Sequence, residues 1–488
     1  MRSLRLVALL AIPAQLVLAQ QPTTGSQGSS LALEDAIATA QRNNPQFLQV
    51  RNGLRTADAN VRSAYGSLLP QSSASFRTAY NQGGTQYVQG VPLPSSDSYN
   101  SFYSIGLSYT ITAAAAYLPR AAKASRAASE ADITNQAELL RATVTQNYIT
   151  ALQDEARAAV LDTLVQTAEG QLELVNAKLK VGAGTIIDVR AAEVALGQAQ
   201  VNALTAHNAA RVSKVQLFQT MGVAPDPDAK LTTTFPVAQP TFSLDSLLDL
   251  ARRVNPDVAA KKSREYSAQQ QVRVAQAQYL PSLSLGTGYG AQAFGYSNSD
   301  ILVQGQMQSA ATGYKNCLTA DSIRLGAGLG AKGCGTGTLS EDKLAEIRAG
   351  NKPFKFIKAP YSISASLSIP IFNGFQREAQ VEQARVQHDN ALYDLRARNL
   401  QLTTDVTQAY LNLATAAKTV ELQTQIAAKA AEDLALNEAS FRVGAKTFLD
   451  VTTARGLYEQ AQIARVNSVY DYHKAFAALE NAVGRPLR

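Results

Sequence analysis

The sequence predicts an α+β chain made twice from one plan, with strands patterned like a transmembrane β-barrel wall joined to very long helices. Three observations carry this. The 488-residue chain matches itself in register over most of its length. Four runs alternate apolar and small polar residues with period two, the pattern of strands with two unlike faces. Two stretches of about sixty residues keep apolar steps of three and four with little Gly or Pro punctuation.

The inventory of residues narrows the chemistry. Charged residues are 17% of the chain and the net charge is +7, with no clustered basic run of the kind that binds nucleic acid. The three histidines, His207, His388 and His473, are far apart, and two cysteines cannot build a thiolate zinc site. No nucleophile–base or metal constellation appears, so the expectation is a non-enzyme without cofactor or metal.

Taken in order, residues 1–19 read as a signal peptide. Arg2 and Arg5 precede a mostly apolar run from Leu6 to Leu18, and Val17-Leu18-Ala19 fits a cleavage site. No cysteine follows the run to accept a lipid anchor, and no later stretch approaches the ~20 apolar residues of a membrane helix. The first repeat occupies 20–222. Its opening helix, about 33–68, holds Asn44-Pro45 and ends at Leu69-Pro70, and the second repeat has Asn255-Pro256 and Leu280-Pro281 in a helix of about 244–279. Both pairs are offset by 211 residues.

Strands follow. Tyr103, Ile105, Leu107, Tyr109 and Ile111 alternate with Ser104, Gly106, Ser108 and Thr110, and Tyr361, Ile363, Ala365, Leu367 and Ile369 alternate with serines. Shorter runs begin after the prolines, at Ala74-x-Phe76-x-Thr78-x-Tyr80 and Leu283-x-Leu285-x-Thr287-x-Tyr289. Ordinary hairpins on a core are the plain reading. An exported chain with Tyr and Phe at the ends of the apolar faces favours lipid on one side and water on the other. Four strands cannot close a barrel, and an open edge in lipid is forbidden, so several chains would have to share one.

The long helices are expected from about Pro119 to Leu179 and from Phe375 to Phe441. At ~1.5 Å per residue, each spans roughly 90–100 Å, too long for a small core, so each must pack along partners of similar length. Val181-Gly182-Ala183-x-Thr185-x-x-Asp188-Val189 turns the first, and Val443-Gly444-Ala445-x-Thr447-x-x-Asp450-Val451 the second, offset by 262 residues. Returning helices cover about 187–221 and 449–483. A linker at 223–241 holds Pro225, Pro227, Pro236 and Pro240 and cannot continue a helix. The second repeat, 242–488, carries roughly fifty extra residues as a Gly-rich loop at about 296–358. Gly328-Leu329-Gly330-Ala331-Lys332-Gly333 lies there, outside the βαβ context that a dinucleotide needs. Cys317 and Cys334 are the pair that an oxidising compartment would join, with free thiols the alternative.

This order of elements, twice over, resembles the TolC-type outer-membrane efflux proteins across nearly all of 31–486. The resemblance implies a homotrimer in which each chain gives four strands to a twelve-stranded barrel in outer-membrane lipid. Its helices would form a periplasmic coiled-coil tunnel closed at the turns, with the linker at the equator and the inserted loop outside the cell. Carried over by position, Asp450 and Asp188 are constriction carboxylates, while Lys446 and Phe441 link neighbouring helices in the closed state. Thr453 stands where some members have a second ring aspartate, and Ile187 replaces a hydroxyl residue. Gly182, Gly444, Thr185 and Thr447 shape the tips, and Lys180, Arg190 and Arg442 face a periplasmic adaptor protein that joins an inner-membrane pump. The expected function is an exit duct for efflux or type I secretion, and the alternative is a structural envelope spacer. The plain reading of Asp188 and Asp450 is capping of the helices that follow the turns.

Overall fold

A computed structural model describes residues 30–88, 90–237, 242–352 and 354–487. The signal-peptide reading of 1–19 lies outside the described residues, as does the end of the linker at 238–241. In chain order the elements are β1 (Ser30–Leu31), α1 (Leu33–Asn43), α2 (Pro45–Gly66), β2 (Gln71–Asn81), β3 (Gly84–Val88), β4 (Val91–Ser95) and β5 (Ser98–Thr112). Next come α3 (Ala113–Lys180), α4 (Ile186–Met221), β6 (Lys230–Leu231), α5 (Leu244–Val254) and α6 (Pro256–Gln276). The remainder is β7 (Ser282–Tyr296), α7 (Asp300–Gly326), α8 (Glu341–Gly350), β8 (Ile357–Lys358), β9 (Ser362–Ser368), α9 (Gln376–Arg442) and α10 (Phe448–Val483). They group into two bodies, one of residues 30–51, 132–257 and 399–487 and one of 52–131 and 258–398. Each body takes material from both sequence repeats.

The helical body has its core where α1, α3 and α4 meet. Leu140, Val144, Tyr148, Leu217, Phe218 and Met221 bury there against Ala36, Ile37 and Ala40. Tyr148 ties the layers together. Its hydroxyl donates to the Leu31 carbonyl at 2.7 Å and accepts the N–H groups of Thr232 and Thr233 at 3.1 Å. Thus one buried phenol fixes the parallel pair β1–β6 to the long helix.

The opening helices differ from the sequence expectation. The helix expected over 33–68 is two, α1 and α2, broken at Asn44, and that expected over 244–279 breaks at Asn255 and closes in a 3-10 turn at Ala277–Tyr279. The cause is steric, since a residue before proline is pushed out of the helical region, and both asparagines sit at ψ near 120°. Each freed side chain then holds the end of a returning helix. Asn44 Nδ2 donates to the Thr220 carbonyl at 2.8 Å, and Asn255 Nδ2 donates to that of Ala482 at 3.0 Å. The glycines beside these carbonyls are left-handed, φ 75° at Gly222 and 93° at Gly484, and a Cβ at either would lie 2.5 Å from the facing Asn43 oxygen or Pro256 ring. The two repeats close the same clamp with the same residues.

The strand body is an antiparallel sheet in the order β2-β5-β7-β9, with the short β8 beside the far end of β7. Its strands run longer than the alternating residues alone suggest, since β5 and β7 pair from Ser98↔Tyr296 to Thr112↔Ser282. On one face Phe76, Ile105, Leu107, Leu285, Tyr289, Ile363 and Leu367 are exposed. The opposite face aligns Ser75, Ser104 and Gly290 across three strands, and Gly106, Gly288 and Ser362 across another three. The edge strands β2 and β9 each have one described neighbour. The hairpin β3–β4 is a sheet of its own.

Two further expectations are corrected. The first long helix starts at Ala113, with Pro119 inside it, because the alanine run ahead of the proline is strong helix former and a proline in the second turn removes a single bond. The inserted segment is not a Gly-rich loop alone. It folds as α7 and α8 around a turn-rich stretch. There Cys317 and Cys334 are disulfide-bonded, and Asp321 accepts the N–H groups of Lys332 and Gly333 at 2.9 and 3.0 Å. The GxGxxG stretch therefore follows a helix, and a carboxylate of that helix holds two of its amides.

Two stability predictions follow from these clamps. Tyr148→Phe leaves the Thr233 N–H short of a partner, while Thr232 N–H still donates to the Leu31 carbonyl, and should lower stability by ~1–3 kcal/mol. Gly222→Ala and Gly484→Ala should each lower it by at least about 1–2 kcal/mol from the left-handed backbone alone. Denaturant unfolding of the purified chains measures both.

The candidate functional site at the helix-turn tips

The turn motif of the sequence resolves into two cooperating caps. At the end of α3, Gly182 N–H donates to Leu179 C=O at 3.0 Å and Ala183 N–H to Lys178 C=O at 2.9 Å. Gly444 and Ala445 repeat these bonds to Phe441 and Ser440 at 3.1 and 2.9 Å. This is the Schellman arrangement, which needs a left-handed residue, and Gly182 and Gly444 have φ 75° and 80°. Three residues on, Thr185 and Thr447 cap α4 and α10. Thr185 Oγ1 accepts the Asp188 N–H at 3.2 Å, while Asp188 Oδ2 accepts the Thr185 N–H at 3.0 Å and its hydroxyl at 2.7 Å. Thr447 and Asp450 make the same box at 3.3, 2.8 and 2.8 Å. The Val after each Asp is buried, Val189 and Val451 both entering the tip core.

Both aspartates therefore have a capping role in full. The N–H and O–H of Thr447 hold the Asp450 carboxyl below the usual carboxylate range, and Lys446 adds to the effect. The capping bonds converge on Oδ2 in each case. Lys446, Thr447 and Ile187 are exposed, and Thr453 donates its hydroxyl to the Leu449 carbonyl at 2.9 Å.

Below the turns the two hairpins meet. Val175, Val189, Ala192, Phe441, Phe448 and Val451 form one cluster, with the Phe441 and Phe448 rings 5.9 Å apart. Phe441 is thus a buried packing residue shared by the tips. Its cationic partner is Lys178, whose Nζ stands 3.7 Å from the ring centroid and donates to the Phe441 carbonyl. A second cross-hairpin contact lies deeper. The guanidinium of Arg455 on α10 reaches Gln171 Oε1 on α3 at 3.4 Å and Glu438 Oε1 on α9 at 3.3 Å.

Sequence reasoning missed Lys178, Gln171, Glu438 and Arg455. Lys178 sits two residues from Lys180, and nothing in the helical period separates a lysine that folds across a ring from one that points to water. Of the residues expected at a docking surface, Arg190 is exposed and pairs with Glu193 of its own helix at 2.8 Å. Arg442 and Lys180 are exposed. The tips carry no described group of three metal-ligating side chains. The one such group among the described residues is Cys317, Asp321 and Cys334, whose sulfurs are bonded to each other. No described helix is long and apolar enough to cross a membrane.

Comparison with known proteins gives the family and the fold. The family model for outer membrane efflux proteins matches residues 36–223 and 337–485, which leaves out 224–336, the stretch that holds the linker, α5, α6, β7 and α7. The outer membrane efflux protein BepC of Brucella suis is 24% identical over 488 residues, covering 97% of this chain and 90% of that protein. The outer membrane protein TolC of Vibrio cholerae is 25% identical over 451 residues, covering 91% and 89%. Among solved structures, the outer membrane protein VceC of Vibrio cholerae aligns with a TM-score of 0.67 at 19% identity, covering 93% of this chain and 97% of that one. The CmeC outer membrane channel of Campylobacter jejuni aligns with a TM-score of 0.69 at 17% identity, covering 93% and 85%. These structures share the fold.

The capping box of Asp450 makes a testable statement about pH. A carboxyl whose folded pKa is depressed contributes stability that is complete above its unfolded value of about 3.9 and lost as pH falls through the folded value. Amide protection at residues 447–451, taken relative to the intrinsic exchange rate at each pH, should therefore fall only under strongly acidic conditions, and Asp450→Asn should show the lower protection already at neutral pH. Equal exchange in the two chains at neutral pH would contradict the capping role.

Proposed function

This chain belongs to the outer membrane efflux protein family, and we propose that it is the exit duct of a tripartite efflux or type I secretion system. It is an outer-membrane protein of the TolC-type efflux channels. The observation that carries the finer reading is the sheet of four main strands and the short β8, with one exposed apolar face, one Ser/Gly face and two edge strands, β2 of 11 residues and β9 of 7, whose outer edges have no described neighbour. Backbone groups in lipid must all be hydrogen-bonded within protein. Identical copies can meet that demand by pairing β9 of one with β2 of the next. Three copies of four strands give a closed twelve-stranded barrel of cyclic symmetry, lipid outside and serine-lined water inside.

In this reading the protein does no chemistry of its own and needs no cofactor or metal. Substrate passes from an inner-membrane pump through a periplasmic adaptor into a tunnel of α3, α4, α9 and α10, whose tips form the entrance. The exposed cations Lys180, Arg190 and Arg442 are the adaptor-facing contacts. Closure combines the contacts within one chain, Lys178 on Phe441 and Arg455 between Gln171 and Glu438, with a ring of Asp450 carboxylates from three chains. Like charges brought together raise one another's pKa and attract cations. The capping bonds of Thr447 oppose that rise and keep the ring ionised at neutral pH.

Two measurements test this reading. In planar lipid bilayers the purified assembly should give discrete ionic conductance, whereas a structural spacer gives none. Di- and trivalent cations added on the tip side should block it, and Asp450→Ala should weaken the block by about tenfold or more, since one ring of charges sets the affinity. A block of undiminished strength in the variant assigns the constriction to other residues.

A further inference from the structure

The four main strands are nearly free of charge. Across β2, β5, β7 and β9 a single side chain is ionised at neutral pH, that of Arg77 in β2. Register fixes the face on which it lies. Arg77 stands opposite Phe102, Phe102 opposite Gln292, and Gln292 opposite Ile357 of the short β8. Paired residues share a face and successive ones alternate. The row Ser75, Ser104 and Gly290 is two residues away along the same strands, so Arg77 and Phe102 belong to the Ser/Gly face. Phe76 and Tyr103, paired with each other, lie on the apolar one.

The row marks a change in that face. On β5 and β7 it holds only Ser, Thr and Gly from the helical end up to this level. Beyond it come Asn100 opposite Phe294, with the Phe294 and Tyr296 rings edge to face at 5.0 Å. From Phe102 to Thr112, where β5 gives way to α3, the strand runs roughly 34 Å at ~3.4 Å per residue. At the usual tilt of barrel strands this is a depth of about 25 Å, the height of a lipid-facing band. Arg77 and Phe102 are both exposed, and the four strands contain no Asp or Glu to neutralise the guanidinium. Neither side chain is needed to fill a core.

A bare cation directly across from a bare aromatic, on a face otherwise small and neutral, is suited to a ligand that is anionic at one end and flat and apolar in its body. We infer that Arg77 and Phe102, repeated by each copy, form a ring at the outer mouth of the lumen that binds organic anions with an aromatic body. This rests on the barrel reading above, which puts water on the Ser/Gly face. The guanidinium offers a planar fork to a carboxylate, sulfonate or phosphate. A ring of such cations in a wall without acids draws anions into the pore. Phe102 then separates anions by body, since an aromatic ligand can stack on it and a small inorganic anion cannot. The ring is opposite in sign to the Asp450 carboxylates proposed at the entrance, so anionic and cationic blockers report on different levels of the duct.

Single-channel recording of the full-length assembly in planar bilayers tests this, with pyrenetetrasulfonate added on the barrel side and sulfate as the anion without a ring. Pyrenetetrasulfonate should block the wild type at lower concentration than sulfate. Arg77→Gln should raise its half-blocking concentration about tenfold or more, and Arg77→Lys, which keeps the charge, by no more than about threefold. Phe102→Ala should raise it about threefold or more for pyrenetetrasulfonate and leave sulfate unchanged. An unaltered unitary conductance shows that a variant has assembled. A block undiminished in Arg77→Gln refutes the ring while the barrel stands. If Arg77→Gln does not assemble, an undiminished pyrenetetrasulfonate block in Phe102→Ala refutes the aromatic-bodied ligand in the same way. Should no chain conduct, the wild type included, the barrel reading fails along with the ring.

Discussion

Two rows of backbone N–H and C=O groups, along the outer edges of β2 and β9, set the terms for the rest of the molecule. In water such edges are a liability for aggregation. In lipid, each unsatisfied group costs several kcal/mol and the arrangement is not viable. Pairing with another copy, as proposed above, would satisfy both rows, and the side-chain pattern is compatible with it. The face with Ile105, Leu107, Leu285 and Ile363 suits hydrocarbon. Ser75, Ser104, Gly106, Gly288 and Ser362 on the other face are small enough for a wide aqueous lumen.

The helical body solves its own closure problem twice with the same parts. An asparagine freed by the following proline grips the last carbonyls of a returning helix, and a left-handed glycine lets the two backbones approach. At the opposite ends of the hairpins a Schellman turn hands over to a Thr–Asp capping box. The caps are local and the asparagine clamps long-range, and both recur at the offsets of the duplication. The repeats diverge in the helical insertion with its disulfide and in the stretch between β9 and α9. Both lie outside the duplicated frame, where sequence is free to serve contacts with the surroundings.

Much of this was legible from residues alone. The offsets of 211 and 262 exposed the duplication, alternation gave the four main strands, and the Val-Gly-Ala-x-Thr-x-x-Asp-Val motif marked the tips. What escaped has physical reasons. The breaks at Asn44 and Asn255 come from pre-proline sterics that a helical period spanning the break conceals. Helix α7 has almost no amphipathic stripe and α8 is only ten residues long, so periodicity did not separate them from loop, and the glycines between them drew attention instead. Lys178 and Arg455 matter through partners more than 250 residues away in sequence, Phe441 and Gln171, and no local pattern encodes such pairs. The positive φ of Phe375, 63°, is likewise invisible in sequence, since only the backbone reveals that a phenylalanine occupies a place better suited to glycine.

The account turns on edge-to-edge closure by copies of one chain, and disulfide trapping tests it most directly. Single cysteines introduced along β2 and along β9, combined pairwise in one chain and oxidised in the membrane, should link chains for the pairs that fall in register. The linked products should end at a closed set of three, as the twelve-stranded barrel requires. Products confined to single chains, or a ladder that continues without closing, would contradict the account.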